Sequence, residues 1–329
     1  MQTSTRFLAR SLFRFRAQRR AQARIGMSCG ALVATSLLAA CGGDGAKGRD
    51  SVAVAQAKAD SIAAAAKTRP PLDAGETMQP VGPGNVWARV RGLGPGVPMV
   101  LIQGAPGTGS FALKAFDAIG EDRVVVRYDL LGTGKSDTLA NTDSVNIRNA
   151  ASELESLRRA MKIERWTVVG HSYGAAIAVA YAKMRPHDVL GVVLINPLFD
   201  AASDSSHSLS TLRTLVDTTK YAADLDSLTT MPGSAVDAAL RRSLGDSIRG
   251  GLTVEQAARV LREQYVPTMI ISGAKDVAGA QAAKVLAKAV PKATVKLYPE
   301  AGAFSLWQTM DQTRDDVRAF LNKIEPPKR

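Results

Sequence analysis

From Asn85 onward, short apolar runs alternate with longer stretches whose apolar residues recur every three or four positions. VWARV (86–90) and VPMVLIQ (97–103) read as strands, followed by a helix from about Phe111 to Ile119 and a strand at RVVVRYD (123–129). Between 143 and 161 the apolar residues Ile147, Ala151, Leu154, Leu157 and Met161 fall on one helical face. RWTVVG (165–170), VLGVVLIN (189–196), PTMIIS (267–272) and ATVKLY (293–298) are rich in β-branched residues and lack polar alternation, as expected of strands buried on both faces. Strands separated by helices predict an α/β fold with a mostly parallel central sheet flanked by helices. Residues 200–263 break that alternation. They are polar and helix-like with no strand signal, and read as a small helical cap inserted between core segments 84–199 and 264–329.

Composition changes the picture at the N-terminus. The chain of 329 residues, 46% hydrophobic and 22% charged, is long enough to bury a substantial core. Its formal net charge of +12 points first to nucleic acid or an anionic surface. Residues 1–40, however, hold seven arginines and no lysine or acid; without them 35 basic residues face 30 acidic ones, a net +5. Nucleic-acid binding thereby loses its main support. Residues 1–40 have the layout of an export signal, basic and then apolar from Ile25 to Ala40, with the apolar run too short for a membrane span. Leu38-Ala39-Ala40-Cys41 resembles the lipobox of bacterial lipoproteins, which implies lipidation of Cys41 as the first mature residue. Gly42 in place of the Asp that marks inner-membrane retention in such proteins implies the outer membrane. Cys29 would leave with the signal, so no disulfide is expected. Residues 41–83, rich in Ala, Gly and Pro, read as a tether.

The candidate chemistry centres on VVGHSYGAAIA (168–178). An apolar strand, Gly170-His171-Ser172-Tyr173-Gly174 and a small-residue helix form the pattern of a nucleophile elbow. Its glycines make room for a tight strand-to-helix turn, and the helix N-terminus aims backbone N–H groups at a developing oxyanion. A second Gly-rich stretch, GAPGTGS (104–110), suggests a phosphate-binding loop, but that loop needs Lys where Ser110 stands and Ser or Thr where Phe111 stands. GTGKS (132–136) lacks the leading Gly, since Asp129 occupies that place. No nucleotide, other cofactor or metal is expected.

QGAPG (103–107), RYDLLGTGKSD (127–137), GHSYGAAIAVAYA (170–182) and GAKD (273–276) resemble, in order, the landmarks of α/β-hydrolases of the proline iminopeptidase type: HGGPG, D-Q-x-G-x-G-x-S, G-x-S-x-G and a late G-x-x-D. The resemblance spans roughly 85–325 and implies the α/β-hydrolase fold. It also implies Ser172 as nucleophile, Asp276 as the acid that orients a histidine, and the N–H groups of Tyr173 and Ala105 as oxyanion donors. Gln103, Gly104, Gly170, Gly174 and Asp129 would support the site, Asp129 with Gly132, Gly134 and Ser136 in one turn. One departure bears on chemistry. The triad runs Ser, acid, His along such chains, and the resemblance places the histidine in YPEAGAFSLWQ, where Gly302 matches and Ala303 stands in its stead. No histidine follows His207. His207 in the cap is an alternative base; His171 is adjacent to Ser172, but an elbow turns neighbouring side chains apart; Glu300 lies three residues from Ala303. The expectation is an exported lipoprotein that binds a small peptide-like or ester-like ligand with weak or lost hydrolysis. The alternatives are an active peptidase or esterase with an unusual base, and a structural or partner-binding envelope lipoprotein.

Overall fold

The computed structural model describes residues 74–104, 109–139, 146–199, 209–223 and 251–325. Seven strands form one sheet: β1 (Gly75–Pro80), β2 (Asn85–Ile102), β3 (Arg123–Tyr128), β4 (Trp166–His171), β5 (Val189–Ile195), β6 (Thr268–Gly273) and β7 (Thr294–Tyr298). Between them lie a 3-10 helix (Ser110–Glu121) and the helices α1 (Ile147–Ala160), α2 (Gly174–Met184), α3 (Leu209–Leu215), α4 (Val254–Glu263), α5 (Val277–Ala289), α6 (Ser305–Gln308) and α7 (Met310–Ile324).

β2 turns back on itself. Its first half runs antiparallel to β3, Ala88 opposite Tyr128 and Arg91 opposite Val125. After the Gly92–Pro98 turn the partner numbers rise together, from Met99 opposite Val125 to Leu101 opposite Arg127, so β3 lies between the two halves. Gly92 is required at the turn: its φ is +79°, and a Cβ there would lie 2.0 Å from the Gly120 carbonyl oxygen. From the second half of β2 the order continues through β4, β5, β6 and β7, all parallel.

The apolar runs explain themselves in this sheet. Val100, Ile102, Val168, Val192, Leu194 and Ile270 point into one core, against α1, α2, α4 and α5. Their neighbours Met99, Leu101, Val169, Val193, Ile195 and Ile271 point into the other, against the 3-10 helix and α7. With both faces covered by helices, polar alternation has no place. No described helix is long and apolar enough to cross a membrane.

Two boundaries differ from the sequence reading. β1 lies inside the segment 41–83 read as tether. GETMQP carries one large apolar residue, and its strand state comes from pairing with β2, Gly75 to Val90 through Pro80 to Asn85. At the other boundary, α4 lies inside 200–263 but belongs to the core: Ala257, Ala258, Val260 and Leu261 are buried with α2 and α5. A capping box of Thr253 and Gln256 starts that helix. Of the remaining cap, the structure describes 209–223; Leu212 and Val216 there pack on the core through Phe111 and Phe304.

Candidate active site

The C-terminal ends of β4, β5 and β6 and the loop after β7 converge on Ser172. The serine follows β4 directly, and its φ of +50° places a non-glycine residue in the left-handed region. The turn is held by the Ser172 N–H donating to the Ile195 carbonyl at 2.8 Å, while the Ser172 carbonyl accepts from Ala175 and Leu198, each at 3.1 Å. Only close packing permits this. A Cβ on Gly170 would meet the Gly174 carbonyl oxygen at 2.3 Å, and one on Gly174 would meet the Ile102 carbonyl oxygen at 2.4 Å. Gly104 packs as tightly from the β2 side, where a Cβ would come within 2.4 Å of His171 Nδ1 and 2.8 Å of Ser172 Cβ. Tyr173 is the N-cap of α2, so the positive end of that helix faces the serine. Ala105 lies outside the described residues.

Asp276 is buried at the end of β6, and both its oxygens are engaged. Oδ1 accepts from the Gly279 N–H at 3.0 Å as the cap of α5, and Oδ2 accepts from Asn196 Nδ2 at 2.8 Å. Asn196, fully buried with φ +45°, also donates to the Gly302 carbonyl at 2.9 Å and accepts from Ser305 Oγ at 2.6 Å. Sequence reasoning misses Asn196. Its one signal is an amide ending the apolar run VLGVVLI, at the C-terminal end of a parallel strand, in a residue type that tolerates left-handed backbone.

Ala303 is 4% exposed in the loop after β7. Its side chain sits in an apolar cluster with Phe111, Phe304 and the cap residues Leu212 and Val216, with Tyr221 and Trp307 packed against it. Its carbonyl lies 3.0 Å from His171 Nε2, and the imidazole leans on Phe304 with ring centres 5.3 Å apart. A carbonyl only accepts, so Nε2 carries the proton in this contact. Ser172 Oγ is buried and has no hydrogen-bond partner among the described residues.

Asp129 stands apart from the serine and builds the supporting turn. Oδ1 accepts from the Ser110 N–H and hydroxyl, both at 2.6 Å, Oδ2 accepts from the Lys135 N–H at 2.9 Å, and Ser136 Oγ donates to the Asp129 carbonyl. Gln103 joins the turn through Thr133 at 3.1 Å. Glu300 and the remaining histidines are elsewhere. Glu300 is on the surface, where Lys275 pairs with it at 2.6 Å and holds its carboxyl below the usual range. His187 is exposed before β5, at the far end of the sheet, and His207 lies outside the described residues.

A strained serine between a parallel strand and a helix N-terminus, with a buried acid two strands away, decides the fold. The chain has the α/β-hydrolase fold. The family described as alpha/beta hydrolase fold matches residues 97–244. A proline iminopeptidase of Heyndrickxia coagulans is 33% identical over 108 residues, 33% of this chain and 38% of the relative. The chain thus matches less than half the length of that relative, over the sheet and elbow. Among solved structures, the proline iminopeptidase of Mycobacterium smegmatis superposes with a TM-score of 0.56 at 18% identity, covering 76% of this chain and 98% of the other. The 2-hydroxy-6-oxo-6-phenylhexa-2,4-dienoate hydrolase of Rhodococcus sp. strain RHA1 gives 0.63 at 17%, covering 77% and 100%. At such identities these two structures speak for the fold alone.

Proposed function

We propose that this chain is an exported, Cys41-anchored α/β-hydrolase-fold protein that binds a small peptide-like or ester-like ligand and hydrolyses it weakly or not at all. The observation that carries this is the environment of Ala303. A serine hydroxyl becomes an effective nucleophile when a neighbouring base takes its proton during attack. The loop after β7, where the resemblance puts that base, presents a methyl group sealed among Phe111, Leu212, Val216 and Phe304. Asp276, free to orient an imidazole in a working triad, instead accepts from Asn196 and caps α5. What survives is binding apparatus: an elbow, a helix N-terminus aimed at it and an aromatic wall. The name of the Heyndrickxia coagulans relative, proline iminopeptidase, favours a peptide-like ligand.

In subtilisin, loss of the triad histidine lowers kcat on the order of 10⁶, leaving about 10³–10⁴ over water. Turnover of prolyl amides and simple esters should therefore fall far below the roughly 10 per second typical of enzymes. A fluorophosphonate probe should label Ser172 poorly, while a non-hydrolysable prolyl peptide should raise the melting temperature. Ordinary turnover abolished by both Ser172→Ala and His207→Ala, or by Ser172→Ala and His171→Gln, would refute the reading and name the base. For the anchor, mass spectrometry should find lipid on Cys41 at the mature N-terminus and none in Cys41→Ser; a mature chain without lipid there would rule the anchor out.

A further inference from the structure

The parallel strands give the sheet two unlike ends. Ser172, Asp276 and Ala303 lie at the C-terminal end. At the other, the chain enters β4, β5, β6 and β7 through loops that carry an excess of exposed cations. Lys162 and Arg165 precede β4, Lys183 precedes β5, Arg262 precedes β6, and Lys288 and Lys292 precede β7. The exposed carboxylates in these loops are Glu164 and Glu263, and Glu121 is exposed before β3, with Arg318 3.6 Å away. Asp188 is neutralised by Arg185 at 2.5 Å, and Glu155 by Arg158 and Arg159 at 2.9 and 2.6 Å. Cations at helix C-termini complement the helix dipole, which accounts for Lys183, Arg262 and Lys288. It does not account for Lys162, Arg165 and Lys292, which lie beyond the helices.

Three of the large apolar side chains exposed among the described residues lie at the same end. Tyr265, between α4 and β6, is 90% exposed; Leu93, in the turn of β2 beside the start of β3, is 74% exposed; Met184, at the end of α2, is 40% exposed.

We propose that this strand-entry face docks on an anionic phospholipid bilayer surface, with Tyr265 and Leu93 at the headgroups and the Ser172 end directed away. Cations near such a surface and aromatic rings at its interface are the two features that hold a peripheral protein there. The membrane itself is taken from the anchor proposed above, but the affinity of the face does not depend on lipid at Cys41.

The test uses the full chain with Cys29→Ser and Cys41→Ser, so no lipid can attach, and one new cysteine, Tyr265→Cys or Val277→Cys, carrying a polarity-sensitive fluorophore. Val277 is 81% exposed beside Asp276, at the opposite end. The arginines of residues 1–40 draw any such chain to anionic vesicles, so the position of the response is decisive, not the amount bound. With phosphatidylglycerol-rich vesicles the label at 265 should shift to the blue and the label at 277 should not; pure phosphatidylcholine should move neither. Lys162→Gln, Arg165→Gln and Lys292→Gln together should raise the lipid concentration for half the shift on the order of a hundredfold, at about 1 kcal/mol per cation. Equal response at both labels, no response at 265, a triple variant that behaves like its parent, or a response to duplex DNA and not to vesicles would each overturn the proposal. Failure of the anchor would show separately, as a mature chain with no lipid on Cys41 by mass spectrometry.

Discussion

Removing the Ser172 hydroxyl should stabilise this protein. The residue carries two unfavourable features, a left-handed φ of +50° and a buried Oγ with no partner among the described residues. An L-residue in the left-handed region costs about 1–2 kcal/mol, and a buried hydroxyl without a hydrogen bond about 1–3 kcal/mol. Ser172→Ala removes the second and keeps the first. Ser172→Gly removes both but adds about 0.5–1 kcal/mol of backbone entropy to the unfolded chain, so glycine should match alanine or exceed it by up to about 1.5 kcal/mol. At roughly 2–4 °C per kcal/mol for a domain of this size, each variant should melt several degrees above the parent. Scanning calorimetry gives the shift, and urea titration at constant m-value checks that the native state has changed and not the unfolded one. In a hydrolase with an intact triad the serine is held by its histidine, and the substitution forfeits that bond. If both variants melt lower than the parent, Oγ has a partner and the reasoning from a vacant base position fails.

Ala303→His should raise fluorophosphonate labelling of Ser172 while lowering stability by about 1–3 kcal/mol, because the imidazole enters a cluster closed by Leu212 and Val216; a folded variant that labels no better than the parent would refute the assignment of position 303. Glu153, whose carboxyl accepts from the Leu131 N–H at 3.2 Å beneath the Asp129 turn, is pushed by burial from 4.5 up to about 8. The folded chain therefore holds a proton that the unfolded chain releases between those values, stability falls as pH rises through that window, and Glu153→Gln should gain over the parent at pH 9 but hardly at pH 5; parallel urea midpoints at both would contradict this.

How much of this was legible in the sequence follows from where each signal resides. The strands of the sheet were legible because burial on both faces writes itself as uninterrupted runs such as VLGVVLI. The elbow was legible because Gly170 and Gly174 answer to contacts made within a few residues of chain and at the end of β2. β1 was not, because GETMQP owes its strand state to β2, and Thr253 to Glu263 looked like cap because a polar helix with a narrow apolar stripe reads alike over a site or over a core. Asn196 is the instructive omission. Side-chain bonds to Asp276 and Ser305 and to the Gly302 carbonyl join residues about 80 to 109 positions apart, and no local pattern records that.

That network also bears on why the site would keep its shape if, as proposed, it lacks a base. Asp276 caps α5, Asn196 binds the loop after β7, and His171 holds the Ala303 carbonyl, so each of these polar groups satisfies a buried partner whether or not a proton is ever moved. Truncating any one would leave a buried polar atom unpaired, at about 1–3 kcal/mol. Stability alone is then sufficient to retain the acid, the amide and the imidazole. Ser172 is the exception, since its hydroxyl satisfies nothing among the described residues and its backbone is strained. Among the described residues stability opposes that serine, and the proposed ligand site accounts for its retention.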